Sequence, residues 1–147
     1  MKLSVTSVML PSWDLDQTFD KLAEHGYDGI ELRCRYNPDD PNVDPSPWGR
    51  HLTDVSPDNV VERAPQIREA SQRSGITVAA LAPNFTYEDT ETVKKIFKGA
   101  LAIDPNHPPL IRVGAQRHDR TLPYQPQFLS ARAGFANLVE TAREYGV

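Results

Sequence analysis

The chain is poor in cysteine and in long apolar runs. Cys34 is the single cysteine among 147 residues. That excludes an intrachain disulfide and makes a reducing, cytoplasmic setting the default expectation. No apolar run approaches the roughly 18 residues that a membrane-spanning helix needs. The opening Met1-Lys2-Leu3-Ser4-Val5 lacks the length and cleavage pattern of a signal peptide. Excess positive charge is missing as well: the formal net charge is -4, with acids and bases interspersed. Nothing here matches the phosphate backbone of a nucleic acid or an anionic membrane surface. Gly-rich phosphate loops, CxxC pairs, GxSxG elbows and HExxH motifs do not occur.

What is present is an alternation of short apolar runs with amphipathic stretches. Leu3 to Leu10 is a β-branched-rich run that predicts a buried strand. Asp14 then predicts a helix N-cap, with Gln17 completing a capping box. Leu15, Phe19, Leu22 and Ala23 follow at helical spacing, and Gly26 ends the helix. Gly29 to Cys34 predicts the second strand. A proline-rich loop runs over 35–55, and its length predicts either a functional lid or a solvated, partly disordered segment. Ser56-Pro57 predicts the next helix start. Its buried stripe reads Val61, Ala64, Ile67 and Ala70, with a kink or break at Pro65. Ile76 to Ala82 is the third strand. Thr86 and Asp89 predict a capping box ahead of a helix buried through Val93, Ile96, Phe97, Ala100 and Leu101. Leu110 to Val113 is the fourth strand. A last helix, from about Pro126, carries Phe128, Ala131, Phe135, Leu138, Val139 and Ala142 on one face.

The order is βαβαβαβα, which argues for an α/β fold with a parallel sheet in one domain over residues 1–147. A junction recurs within it. Glu24-His25-Gly26-Tyr27 leads into the second strand and Arg73-Ser74-Gly75-Ile76 into the third; Glu144-Tyr145-Gly146-Val147 repeats the pattern. The expectation is a truncated barrel, stopping at the threshold of a fifth strand. A closed eight-stranded barrel typically needs about 250 residues.

Four segments resemble the xylose isomerase-like barrel superfamily: Leu3-Ser4-Val5, Leu22 through Arg33 (Leu-Ala-Glu-His-Gly-Tyr-Asp-Gly-Ile-Glu-Leu-Arg), Gly75-Ile76-Thr77-Val78 and Ile111-Arg112-Val113-Gly114. The resemblance implies the first half of a (β/α)₈ TIM barrel of the sugar phosphate isomerase and epimerase type. It implies a sugar or sugar phosphate substrate and a divalent metal, manganese or magnesium, in full-length members. Their ligands lie at the ends of strands five to eight, so no metal ligand and no catalytic acid–base pair carries over. The endonuclease branch adds histidines after strands three and four. This chain has Ala82-Pro83-Asn84-Phe85 and Val113-Gly114-Ala115-Gln116 there, and His118 lies further along.

The candidate substrate-binding residues are Glu31, Arg33, Asn84, Arg112, Trp13 and His51. Side chains alternate along a strand, so Glu31 and Arg33 share the face opposite Ile30 and Leu32. In a barrel that pair points inward, near the rim where active sites form. A buried charge demands a partner, so Glu31 either pairs with an arginine or faces a ligand. Arg33 and Arg112 suit a phosphate, a carboxylate or sugar hydroxyls, because the guanidinium presents a planar fork of donors. Asn84 suits a hydroxyl or a helix entry, and Trp13 a pocket wall or packing on the first helix. Trp48 and His51 fall in the long loop. Cys34 reads as an inert filler at a strand end, and His25 as a helix-end residue.

Three functions follow as expectations. The first is a metal-dependent sugar isomerase or epimerase of which this chain supplies half the barrel. The second is a non-catalytic fragment or interaction module, whose open sheet edges favour self-association. The third, an apurinic-endonuclease-like hydrolase, is disfavoured by the missing histidines and the acidic charge.

Overall fold

Four parallel strands and four helices alternate along the computed structural model, which describes Met1–Val147. They are β1 Ser4–Thr6, α1 Leu15–Glu24, β2 Gly29–Arg33, α2 Val60–Ser74, β3 Thr77–Ala82, α3 Thr90–Ile103, β4 Leu110–Ile111 and α4 Tyr124–Tyr145. The sheet order is β1-β2-β3-β4, and every pairing is parallel. α1 packs on α2, α2 on α3, and α3 on α4. Right-handed crossovers advancing in one direction put successive helices on the same face of a sheet. The opposite face of the strands is left without a helix layer.

Local chemistry explains the best-defined boundaries. The Asp14 carboxylate accepts from the Gln17 N–H at 2.8 Å, and the Gln17 amide oxygen accepts from the Asp14 N–H at 3.2 Å. This satisfies donors that the start of α1 leaves without intrahelical partners. Gly26, Gly75 and Gly146 all sit in the left-handed region, at φ 75°, 76° and 80°. Each ends a helix where a side chain would be strained. The recurring junction is therefore one backbone device used three times.

Several boundaries differ from expectation. The first strand ends at Thr6, and Ser7–Met9 forms a 3₁₀ turn. The turn presents the buried Ser7 hydroxyl to the Arg33 N–H at 2.8 Å, a contact that a continuing strand would not make. In α2 the buried residue is Val60, while Val61 is exposed. α2 starts after Asn59, whose amide oxygen accepts from the Ser56 N–H. It then runs unbroken through Pro65. Proline has no N–H for the carbonyl four residues back. That carbonyl belongs to Val61, on the exposed face. Thr86 does not cap α3. Asp89 is the cap residue, and its carboxylate accepts from the Thr86 N–H and hydroxyl. β4 is only Leu110–Ile111, followed by a lone bridge from Gly114 to Thr86. α4 begins at Tyr124, and only Leu138 of its apolar face is buried.

The main core joins Leu15, Phe19 and Leu22 of α1, Ile30 and Leu32 of β2, Ala64, Ile67 and Ala70 of α2, Val78 and Leu81 of β3, and Ile96 and Ala100 of α3. Burying each large side chain contributes roughly 1.5–3 kcal/mol. The β2–β3 register shifts between Ile30 and Glu31: Ile30 pairs with Val78, Glu31 with Ala80. This bulge lets Val78 and Leu81 both reach the helices. A second, smaller cluster of Tyr87, Val93, Phe97 and Leu138 holds α4. No helix is long and apolar enough to cross a membrane.

Candidate functional site at the carboxyl ends of the strands

The strand face away from the helices carries most of the chain's unusual polar chemistry. Thr6, Glu31 and Ala80 align across β1, β2 and β3, and Ala80 pairs with Leu110 of β4. Ile30, Leu32 and Cys34 are fully buried on the helix side. Alternation therefore sends Glu31, Arg33 and Arg35 the other way. Arg112 follows β4 directly, and its N–H donates to the Leu81 carbonyl at 3.0 Å. Its guanidinium meets Glu31 side-on across β3: Nε lies 3.3 Å from Oε2, and Nη2 donates to Oε1 at 3.4 Å. Glu31 is thus held by an arginine and remains partly open to solvent.

Arg33 does not join this pair. It is 3% exposed and turns into the 35–55 loop. Nη2 donates to the Gly49 carbonyl at 2.8 Å and to Tyr36 O at 3.4 Å; Nη1 donates to Asn37 Oδ1 at 3.2 Å. Its Nε is buried without a partner. Burial, with the charge of Arg35, pulls its pKa below the usual arginine range. Its observed partners make it the anchor of the loop.

The loop is solvated over most of residues 36–48 and tied down at its far end. Asn37 accepts from Arg33 and from the His51 N–H, and donates to His51 O and to Asp54. His51, Thr53 and Val55 are buried. His51 Nε2 lies 3.1 Å from the Pro47 carbonyl, which only accepts, so Nε2 carries the proton. Nδ1 is buried without a partner, and burial pushes the ring's pKa down. His51 is therefore placed inside the loop, with its ring fully buried rather than exposed at the rim.

Arg35 is the residue that sequence reasoning overlooked. Its N–H donates to the Val55 carbonyl, but its guanidinium makes no hydrogen bond or ion pair, and Nε is buried without a partner. The guanidinium carbon stands 6.0 Å from the Trp48 ring centre. Burial pulls the Arg35 pKa down, Arg112 adds to that fall, and Glu31 opposes it. Glu31, Arg35 and Arg112 thus act on one another at the carboxyl ends of β2 and β4. The signal was available: the same alternation that placed Glu31 and Arg33 continues to Arg35.

The remaining candidates are scattered. Asn84, just after β3, is exposed and makes no hydrogen bond, so its amide is free. Trp13 is half-buried and lines a groove with Leu3, Val5, Leu22 and His25, beside β1 and the end of α1. Cys34 is buried, and its thiol is pushed up to about 12 by desolvation. His118 contacts Gln127 in an exposed turn. An apolar groove of about 370 Å³ between β4 and α4, lined by Phe97, Leu110, Phe135 and Leu138 among others, holds no ionisable side chain.

No group of three or more His, Cys, Asp or Glu side chains is placed to hold a metal ion. Glu31, the carboxylate at the rim, is engaged by Arg112. These residues do not fit the divalent metal implied by the resemblance. Comparisons with protein-family models, curated proteins and solved structures found no match.

Proposed function

We propose that this chain is one half of a (β/α)₈ barrel of the xylose isomerase-like kind. Its strand ends form part of the wall that binds a sugar or sugar phosphate in an isomerase or epimerase. The observation that carries this reading is the Glu31–Arg112 pair, which bridges β2 and β4 on the helix-free side of a parallel sheet. Ligands of parallel α/β sheets bind beyond the carboxyl ends of the strands. Glu31 offers acceptors, Arg112 and Asn84 offer donors, and the exposed Trp48 offers an apolar plate for a sugar ring. This set binds and orients. It holds no free base beside an acid, so no proton-transfer step is assigned to it.

The test is direct binding. Saturation-transfer NMR with a ketohexose and a ketopentose is expected to show ligand contact that Glu31→Ala and Arg112→Ala weaken, with Trp48 fluorescence responding in parallel. Equal transfer to both variants, or none to the wild type, removes the reading.

A second reading, an interaction module, rests on the two outer edges of the sheet at β1 and β4, which pair with no other strand. It expects a concentration-dependent sedimentation coefficient. A coefficient independent of concentration and equal to that of a monomer counts against self-association.

A further inference from the structure

We propose that the two open edges of the sheet fit each other. β4 of one copy pairs in parallel with β1 of a second copy, and two copies close an eight-stranded barrel around a twofold axis. This rests on the interaction-module reading and names its partner: a second copy of this chain.

Each edge carries an apolar groove between its outer strand and the neighbouring helix. The groove at β4 and α4, about 370 Å³, runs between Ile111, Val113, Phe135, Leu138 and Val139. The groove at β1 and α1, about 480 Å³, runs between Leu3, Val5, Leu10, Trp13 and Leu22. Inside the sheet the same space is filled by the next strand: Ile30 and Leu32 of β2 are fully buried in the core with α1 and α2. The missing neighbour of β4 is therefore a parallel strand with apolar residues at alternate positions. β1 is such a strand. Val5 stands opposite Ile30 on the helix side, and Leu3, two residues earlier, shares its face.

The backbone and the bare face lead the same way. The Leu3 carbonyl accepts from the Asp28 and Gly29 N–H groups, and the Arg112 N–H donates to the Leu81 carbonyl, so both residues face inward. Alternation turns the N–H and C=O of Ser4 and of Ile111 off the sheet, where they need partners. Parallel sheets are normally covered on both faces, and this one has helices on one. Leu110 lies on the bare face in line with Ala80 and is 76% exposed. An eight-stranded barrel turns that face inward, and its interior is just wide enough for side chains to fill. Pairing β4 with a second β4 would only widen the sheet and leave the face bare.

The available area suits a stable pair. Leu3, Tyr27, Leu110 and Val139, all lining the two grooves, are between 37% and 76% exposed. With the half-buried groove walls they put about 800 Å² per copy within reach, the size of a standard interface. The contact joins two different patches, and such contacts make rings when the rotation closes. Four strands from each copy complete the ring, so association stops at two.

The experiment is sedimentation velocity of the full chain over a range of concentrations, with small-angle scattering of the associated species. Wild type is expected to pass from monomer to a compact dimer and no further. Leu3→Asp on the β1 edge and Leu110→Asp on the β4 edge are each expected to raise the dimer dissociation constant by about tenfold or more, since each buries an unpaired charge. Val139→Glu tests the α4 wall separately, with the same expectation. Val61→Asp, exposed on α2 away from both grooves, is expected to leave the dimer unchanged. Circular dichroism confirms that each variant folds. A dimer indifferent to Leu3→Asp overturns the β4–β1 pairing but leaves self-association standing. A dimer weakened equally by Val61→Asp, an elongated dimer, or growth past two copies overturns the closure. A monomer at every concentration overturns the closure and the interaction reading together, and leaves the grooves to a different polypeptide.

Discussion

The Arg33 guanidinium donates to the Gly49 carbonyl at 2.8 Å and so fastens the end of β2 to the loop that folds back over it. Arg33→Met removes three acceptor contacts from a buried site. The expected loss is about 1–3 kcal/mol in urea unfolding, because three part-buried acceptors lose a charged donor. Arg33→Lys is expected to recover little, since an ammonium cannot span the same carbonyls. A loss below the error of the measurement would show that the loop is held by something else.

His51 makes stability depend on pH. Its folded-state pKa is lowered by burial, so the folded chain resists a proton that the unfolded chain accepts. Above the ordinary histidine pKa of about 6.5 both forms are neutral and the difference vanishes. As pH falls below that value, the unfolded state binds more protons and stability drops, by up to about 1.4 kcal/mol per pH unit from this one group. Urea midpoints from pH 8 to pH 5 are expected to fall less steeply in His51→Gln. Parallel profiles for the two proteins would contradict the assignment.

Gly99 of α3 lies directly against Val60 at the start of α2. An added Cβ would lie 2.5 Å from Val60 Cγ1 and 2.6 Å from Cγ2. Alanine normally favours a helix over glycine by about 1 kcal/mol. Here Gly99→Ala is expected to destabilise by about 1–3 kcal/mol through overpacking. Pairing it with Val60→Ala is expected to cost less than the two single changes added together, which a double-mutant cycle measures.

Cys34 is expected to be silent toward a disulfide-exchange reagent at pH 8. Burial leaves it almost entirely protonated, with a pKa of about 12, and the thiolate is the reactive form. Rapid labelling is expected only in denaturant. Labelling of the native chain at a free-thiol rate would place Cys34 outside the core.

Glu31→Gln tests how much the pair with Arg112 holds the sheet together. The pair is half-exposed, so its loss is expected to change stability by less than about 1 kcal/mol in urea unfolding. A loss well above that would show that the pair ties β2 to β4 more tightly than an exposed ion pair does.

The sequence was most legible where structure is decided within a few residues. The Asp14–Gln17 box and the glycines at 26, 75 and 146 follow from local backbone chemistry, and the structure has them as expected. The strand–helix order and the parallel sheet came from periodicity. Distant partners were illegible. The first strand stops early because Ser7 meets Arg33, 26 positions along the chain. His51 is buried through Asn37 and Pro47, which no periodicity predicts. Val60 takes the core position because it lies four residues before Ala64 on the buried face, and spacing alone does not separate it from Val61, three residues before. Arg35 was missed because the strand pattern was stopped at Cys34, although alternation runs on beyond the last ladder hydrogen bond.

β4 contributes only Leu110 and Ile111 to the ladder before Arg112 turns to its contact with Leu81. A stub this brief offers a second copy a short edge to pair with, but not the long template that open-ended stacking needs. Fibril growth on that flank would first require the neighbouring loop to straighten into strand. Ordering each added residue costs about 1–2 kcal/mol of backbone entropy before any new bond forms. The short last strand therefore gives the sheet a kinetic guard against runaway addition, with the charged Arg112 standing directly at its end.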